Sequence, residues 1–248
     1  MKKAFTLLLT LFVLTSQAQH QETRALQKFH GIAVSNGIDA KFTKSSNNTA
    51  TIRVSRANIA EKLQTEVKDG ILYVRVKKNS QINNAGKLSV DIHGDLDLDK
   101  IQISSAGVLE ITNTQQVENL HIKVSSAGQL ITQRFQAEKA EIAINSAGQV
   151  VSELMSNELN AKLGSSATLT LSGTVNQVKL EAASAAKAKL RQLEARNAVL
   201  ETKSGASVEI QVTSNLDAKA SSGGSIRYSG SPSTPNIRKS SGGRVTKI

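Results

Sequence analysis

Cysteine and tryptophan are both missing from this chain of 248 residues. Without cysteine there is no disulfide, no thiolate zinc site and no thiol redox chemistry. Nor is there a cysteine to carry a lipid anchor. Aromatic residues make up only 3% of the chain, and outside residues 1–18 they are Phe29, Phe42, Phe135, Tyr73 and Tyr228. A cleft that degrades polysaccharide normally presents exposed rings as stacking platforms, so this scarcity disfavours such an enzyme. Past the N-terminus no run approaches the eighteen consecutive apolar residues of a membrane-spanning helix.

What the chain has in excess is positive charge. It carries 31 Lys and Arg against 20 Asp and Glu, a formal net charge of +11, which falls to +9 if Lys2 and Lys3 are removed with a leader. Such a balance favours acidic glycans, anionic lipid or nucleic acid through long-range attraction. The basic residues are scattered, however, with neither a dense run nor the interleaved aromatics of nucleic-acid modules. A solvated basic surface is expected, and no nucleic-acid partner.

The organising feature is a repeat. Residues 101–111 read I-Q-I-S-S-A-G-V-L-E-I, and the pattern returns at 122–132 (I-K-V-S-S-A-G-Q-L-I-T), 142–152 (I-A-I-N-S-A-G-Q-V-V-S) and 161–171 (A-K-L-G-S-S-A-T-L-T-L). Aligning the small-residue cluster places its centre at Ala106, Ala127, Ala147, Ser166, Ala183, Gly205, Gly223 and Gly242. A period near twenty residues marks a solenoid, whose units bury their apolar faces only against one another. Within a unit the apolar residues sit two apart, the strand period. Each unit therefore reads as one coil, with the small-residue cluster turning a corner against identical corners. Stacked about 4.8 Å apart, roughly eight coils would make a rod about 38 Å long. A third apolar position per period (Val117/Leu120, Phe135, Leu154, Val175, Leu193, Leu216) implies a third wall. The fold class expected is all-β: a parallel β-helix or β-solenoid of about eight coils over residues 88–248, with an N-terminal antiparallel β-rich cap over residues 19–87.

The beginning of the chain differs. Met1-Lys2-Lys3 is a positive head, residues 4–14 are an apolar run, and Thr15-Ser16-Gln17-Ala18 offers the small residues of a cleavage site, so residues 1–18 read as a secretory signal peptide. The mature protein is then expected to be exported: periplasmic, outer-membrane associated or extracellular. Asn36-Gly37, between alternating apolar residues, predicts a hairpin turn, and Asp69-Gly70 predicts another. The segment 59–67 reads as a short helix or an extended arm, and 77–87 as a polar loop. One stretch is ambiguous. Residues 181–201 are rich in Ala, Lys, Leu, Arg and Glu, the strong helix formers, yet Val178, Leu180 and Leu200 keep the alternating phase, which favours strand with helix as the alternative. Pro232 and Pro235 mark a connecting loop before the last unit. That last coil shows no cap, and an open edge invites a partner or a second copy.

These residues together resemble one family. The stretch F-H-G-I-A-V-S-N-G-I-D-A-K-F at 29–42, V-K-D-G-I-L-Y-V at 67–74, the S-A-G units, and L-D-A-K-A-S-S-G-G-S-I-R-Y-S-G-S-P at 216–232 look like the auto-transporter adhesin "head GIN domain" proteins of Bacteroidetes-type bacteria. The resemblance spans residues 29–245 and implies an exported β-solenoid with an adhesin-like role and no assigned activity. The membrane-spanning β-barrel strands of an auto-transporter are not visible in this sequence.

Candidate chemistry is sparse. His20, His30, His93 and His121 are isolated, with no metal-motif spacing. Asp95, Asp97 and Asp99, with Asp91 nearby, form the one acidic cluster; on a strand their three carboxylates would share a face that could hold calcium. With Leu96 and Leu98 facing the core, a solvated outer face is the simpler reading, and no cofactor is expected. No G-x-S-x-G elbow is present. The leading expectation is a non-enzymatic surface or periplasmic module that binds a protein or glycan at the cell envelope, with self-association through the last coil as a further possibility. The alternative is a lyase- or hydrolase-like β-helix enzyme acting on acidic glycans.

Overall fold

The computed structural model describes residues 20–82 and 86–248; the signal peptide expected at residues 1–18 lies outside them. The chain forms β1 (His20–Ala25), β2 (Gly31–Val34), β3 (Asp39–Lys44), β4 (Thr49–Val54), a single helical turn α1 (Ala57–Ala60), β5 (Leu63–Lys68), β6 (Ile71–Val76) and β7 (Ser89–Gly94). Then come β8 (Lys100–Ile103), β9 (Val108–Ile111), β10 (Gln115–Val124), β11 (Gln129–Ile144), β12 (Gln149–Leu163), β13 (Thr168–Ala182), β14 (Lys187–Thr202), β15 (Ser207–Ala220), β16 (Ser225–Ser229), β17 (Asn236–Lys239) and β18 (Arg244–Lys247). From β8 onward every pairing is parallel, giving a β-solenoid of about seven turns.

The repeat is realised as vertical columns of side chains. Val34, Ile103, Val124, Ile144, Leu163, Ala182, Thr202 and Ala220 occupy successive coils in register, and all are buried. A second column runs Ile101, Ile122, Ile142, Ala161, Leu180, Leu200, Ala218. The third wall is filled by Phe135, Leu154, Val175 and Leu193, each at most 2% exposed. Leu120 and Leu216, expected there from the sequence, instead stack in the last segment of the coil, in the column Leu120, Ala140, Leu159, Val178, Ala198, Leu216. Helix propensity in the 181–201 stretch loses to this stacking: β14 is an extended strand whose Ala188, Leu190, Leu193, Ala195, Ala198 and Leu200 point inward. Alternation with neighbours above and below buries every second residue, which a lone helix could not do here.

The corners explain the small-residue clusters. Ser105 and Ala106 both lie in the left-handed region, with φ of 49° and 56°, and the Gly107 amide donates to the Ser104 carbonyl at 2.9 Å. This is a type I′ turn, which normally demands Gly or Asn. The same turn recurs at Ser126-Ala127, Ser146-Ala147, Ser165-Ser166, Ser184-Ala185, Ser204-Gly205, Ser222-Gly223 and Ser241-Gly242. The fifth centre is thus Ala185, not Ala183 as the sequence alignment places it, so the steps beside it become a regular 19 and 20 residues. The corners are also bonded to one another: the Ala106 amide donates to the Ser126 carbonyl, Ala127 to Ser146 and Ala147 to Ser165, each at 2.9 Å.

Asn36-Gly37 departs from expectation. Instead of closing a hairpin, it forms another corner of this kind, and its Gly37 amide donates to the Ser105 carbonyl at 2.9 Å. The flanking strands do not pair with each other. β2 lies parallel between β6 and β8, and β3 lies parallel between β7 and β9. A type I′ turn suits a hairpin and a solenoid corner equally, and only the partner strands decide between them. Asp69-Gly70 does join the antiparallel hairpin β5–β6, and the 59–67 segment divides into the end of α1 and strand β5.

Antiparallel pairing of β1 with β4, β4 with β7 and β5 with β6 forms the N-terminal end. Arg24 fastens it: its guanidinium donates to the carbonyls of Leu63 at 2.8 Å and Ala60 at 2.9 Å, and to the Thr65 hydroxyl at 3.1 Å. Phe29 and Phe42 meet edge to face beneath it, with centroids 6.0 Å apart. At the opposite end β17 and β18 are almost wholly exposed.

Candidate functional site

Outward-facing residues stack in columns as strictly as inward ones. The walls are therefore ladders, and chemistry on them is set by which residues occupy equivalent positions. One wall is built from the last segment of each coil. One of its columns reads His121, Glu141, Asn160, Lys179, Val199, Asp217, Asn236, and the next reads Gln102, Lys123, Ala143, Lys162, Glu181, Glu201, Lys219, Arg238. Some opposite charges on neighbouring coils pair, Lys219 with Glu201 at 3.1 Å and Arg238 with Asp217 at 2.7 Å. Exposed pairs of this sort stabilise by about 0–1 kcal/mol each.

Ala143 breaks this pattern. Long side chains above and below it, Lys123 and Lys162, leave a depression of about 390 Å³ over its methyl group, rimmed by His121, Glu141, Asn160, Lys179 and Glu181. Smaller depressions of about 290 and 220 Å³ adjoin it, the first sharing Lys162 and Glu181, the second Asn160 and Lys179. His121 Nδ1 lies 3.1 Å from the Glu141 carboxylate. The Asn160 amide donates to Glu158 at 2.7 Å, which leaves its carbonyl oxygen available as an acceptor on a residue that lines the depression. Among the described residues no carboxylate pairs with Lys123, Lys162 or Lys179.

The acidic cluster is arranged differently from the strand imagined for it. Residues 95–99 form a bend and an irregular link between β7 and β8, so the alternation that would align three carboxylates is absent. Leu98 is buried, but Leu96 is 40% exposed, contrary to the expectation that both face the core. Each carboxylate has its own cation or imidazole: Asp95 with Lys28 at 2.7 Å, Asp97 with Lys44 at 2.6 Å, and Asp99 with His30 at 2.7 Å. The hydrogen bond from Lys28 holds the Asp95 carboxyl below the ordinary aspartate range. Asp91 pairs with Arg53. Among the described residues no group of three or more His, Cys, Asp or Glu side chains is placed to hold a metal ion. His20 and His93 lie on β1 and β7, apart from the depression that His121 rims.

Solved structures share this architecture. A "putative adhesin" from Parabacteroides merdae superposes with a TM-score of 0.87 at 18% identity, covering 94% of this chain and 97% of its own. A "putative adhesin" from Parabacteroides distasonis gives 0.85 at 18%, with 94% and 98% covered. A "putative lipid binding protein" from Parabacteroides distasonis gives 0.84 at 19%, again with 94% and 98% covered. At such identities the likeness concerns the fold. No curated protein matches the chain. Among described residues no helix is long and apolar enough to cross a membrane. The family model described as "Putative auto-transporter adhesin, head GIN domain" matches residues 28–232, and to that family this chain belongs.

Proposed function

We propose that this protein is an exported, non-enzymatic binding module of the cell envelope, which presents a rigid polar ladder to a protein or glycan partner. The observation that carries this reading is the fold itself together with family membership. Columns of buried side chains fill the interior between the walls, so recognition has to use the outside. The outer walls are mostly repetitive surfaces of Lys, Glu, Asn, Gln, Ser and Thr, interrupted by exposed apolar residues such as Ile131, Val151 and Val199. A stack of parallel coils is stiff, since each strand is hydrogen-bonded on both sides, and it displays those groups at fixed spacing. The Lys-Lys leader supports export, and release of a soluble shaft or retention by an envelope partner both fit it.

A partner need not bind one deep cleft. Many weak contacts at the strand repeat add up through multivalency. The test is retention of the mature chain on envelope fractions and on glycan arrays, with an unrelated basic protein of equal charge as control. Retention above that control is expected; none on either support would refute the proposal. The second reading, an enzyme acting on acidic glycans, draws on Glu141 and Glu181 at the rim of the wall depression. Its check is release of reducing ends or unsaturated products from a panel of acidic polysaccharides, which the binding reading expects to be nil.

A further inference from the structure

The Ala143 depression has the makings of a subsite. We infer that it seats one carboxylated sugar of an otherwise neutral oligosaccharide, with the carboxylate between Lys123 and Lys162. This rests on the binding-module reading and names the chemistry it would recognise. In the column Lys123, Ala143, Lys162 the two ammonium groups stand on coils two steps apart, about 9.6 Å, with a methyl group between them. An anion placed over Ala143 can receive hydrogen bonds from both sides, and neither lysine has to give up an existing carboxylate partner. Charge-assisted hydrogen bonds of that kind are about twice as strong as neutral ones.

The rest of the lining selects for hydroxyl groups. Asn160 keeps its carbonyl oxygen free, and the Glu141 and Glu181 carboxylates can accept from sugar hydroxyls. Beyond Ala143 the adjoining depressions balance Lys203 with Glu201, and add Glu158, Asn197 and Gln177. These balanced flanks offer a uniformly charged polyanion no net attraction beyond the central subsite, whereas a chain with one acidic sugar flanked by neutral ones needs none there. Contiguity of the three depressions along one wall suits an extended chain and not a compact small molecule. Recognition by charge and hydrogen bonds also agrees with the scarcity of aromatic rings, because stacking is not required of it.

The experiment is calorimetric titration of the mature chain with uronate-containing trisaccharides (galacturonate, glucuronate and mannuronate types) and with their neutral methyl esters. Acid forms are expected to bind at least tenfold more tightly than the esters. Lys123→Gln with Lys162→Gln should weaken acid binding about tenfold, and Ala143→Gln, which fills the depression, should abolish it. Lys187→Gln with Lys189→Gln on the neighbouring wall should change nothing, and circular dichroism confirms folding of each outward-facing variant. Equal binding of acid and ester, indifference to Ala143→Gln, or preference for a fully sulfated polyanion overturns the inference. Absence of trisaccharide binding while the chain is still retained on envelope fractions overturns it too and leaves the binding-module proposal standing; loss of both refutes both.

Discussion

The corner ladder offers a two-sided test of how the coils are held. Ala106, Ala127, Ala147 and Ala185 sit at φ values between 56° and 60°, where an L-residue pays about 1–2 kcal/mol for crowding of Cβ against the carbonyl. Gly205, Gly223 and Gly242 hold the equivalent place at φ of 72–76°. A Cβ built on Gly205 or Gly223 meets nothing within 4 Å, so those positions want glycine for its dihedral freedom, not for space. Replacing Ala127 by Gly should relieve the left-handed strain and cost about 0.5–1 kcal/mol in unfolded-state entropy. The net is a stabilisation of about 0.5–1 kcal/mol. Gly205→Ala should destabilise by a similar amount. Urea denaturation followed by far-ultraviolet circular dichroism measures both, with Tm moving by about 2–4 °C per kcal/mol for a domain of this length. Adjacent corners share a hydrogen bond, so Ala127→Gly and Ala147→Gly together should deviate from additivity. Destabilisation by Ala127→Gly, with Gly205→Ala neutral, would show that backbone strain is not what distinguishes these corners.

Other consequences are as direct. Thr202 is fully buried in the column between Ala182 and Ala220, and its hydroxyl has no partner among the described residues; Thr202→Val should therefore raise stability by about 1 kcal/mol, read as a higher Tm. Gly173 has φ of 107°, and a Cβ there would come within 2.3 Å of the Leu154 carbonyl oxygen; Gly173→Ala should cost about 2–4 kcal/mol in urea denaturation, more than any corner substitution. Arg24→Ala should free β1 while sparing the coils, seen as early proteolytic cleavage near residues 20–26 with the rest of the chain resistant. The hydrogen bond from Arg24 holds the Glu22 carboxyl below its ordinary value of 4.5. A lowered carboxyl contributes stability above its unfolded pKa and loses it as pH falls through the folded one. The N-terminal end should thus loosen as pH drops below about 4.5, and Glu22→Gln should flatten that dependence in pH-resolved hydrogen exchange.

How much of this was legible beforehand depends on whether a feature is periodic. The column Ile103, Val124, Ile144, Leu163 could be read directly, because burial imposes the same residue type at the same phase in each coil. Phe135, Leu154, Val175 and Leu193 likewise announced the third wall. What escaped were features decided by partners distant in sequence. Asn36-Gly37 carries a turn preference but not the identity of its neighbours, and β2 reaches β8 across an excursion of the chain through β4, α1 and the β5–β6 hairpin. The asparagine ladder at another corner, where Asn176 donates to Asn157 at 2.9 Å and Asn215 to Asn197 at 2.6 Å, is spaced like the repeat but hidden among common polar residues. Ala143 is subtler still. An alanine in a strand is unremarkable until the register sets it between Lys123 and Lys162; only then does a missing side chain become a recess. On a ladder of equivalent positions, information about binding lies in the departures from the repeat. The same stacking that makes the shaft predictable makes one short residue on an outer column the place where a ligand can be told apart from its neighbours.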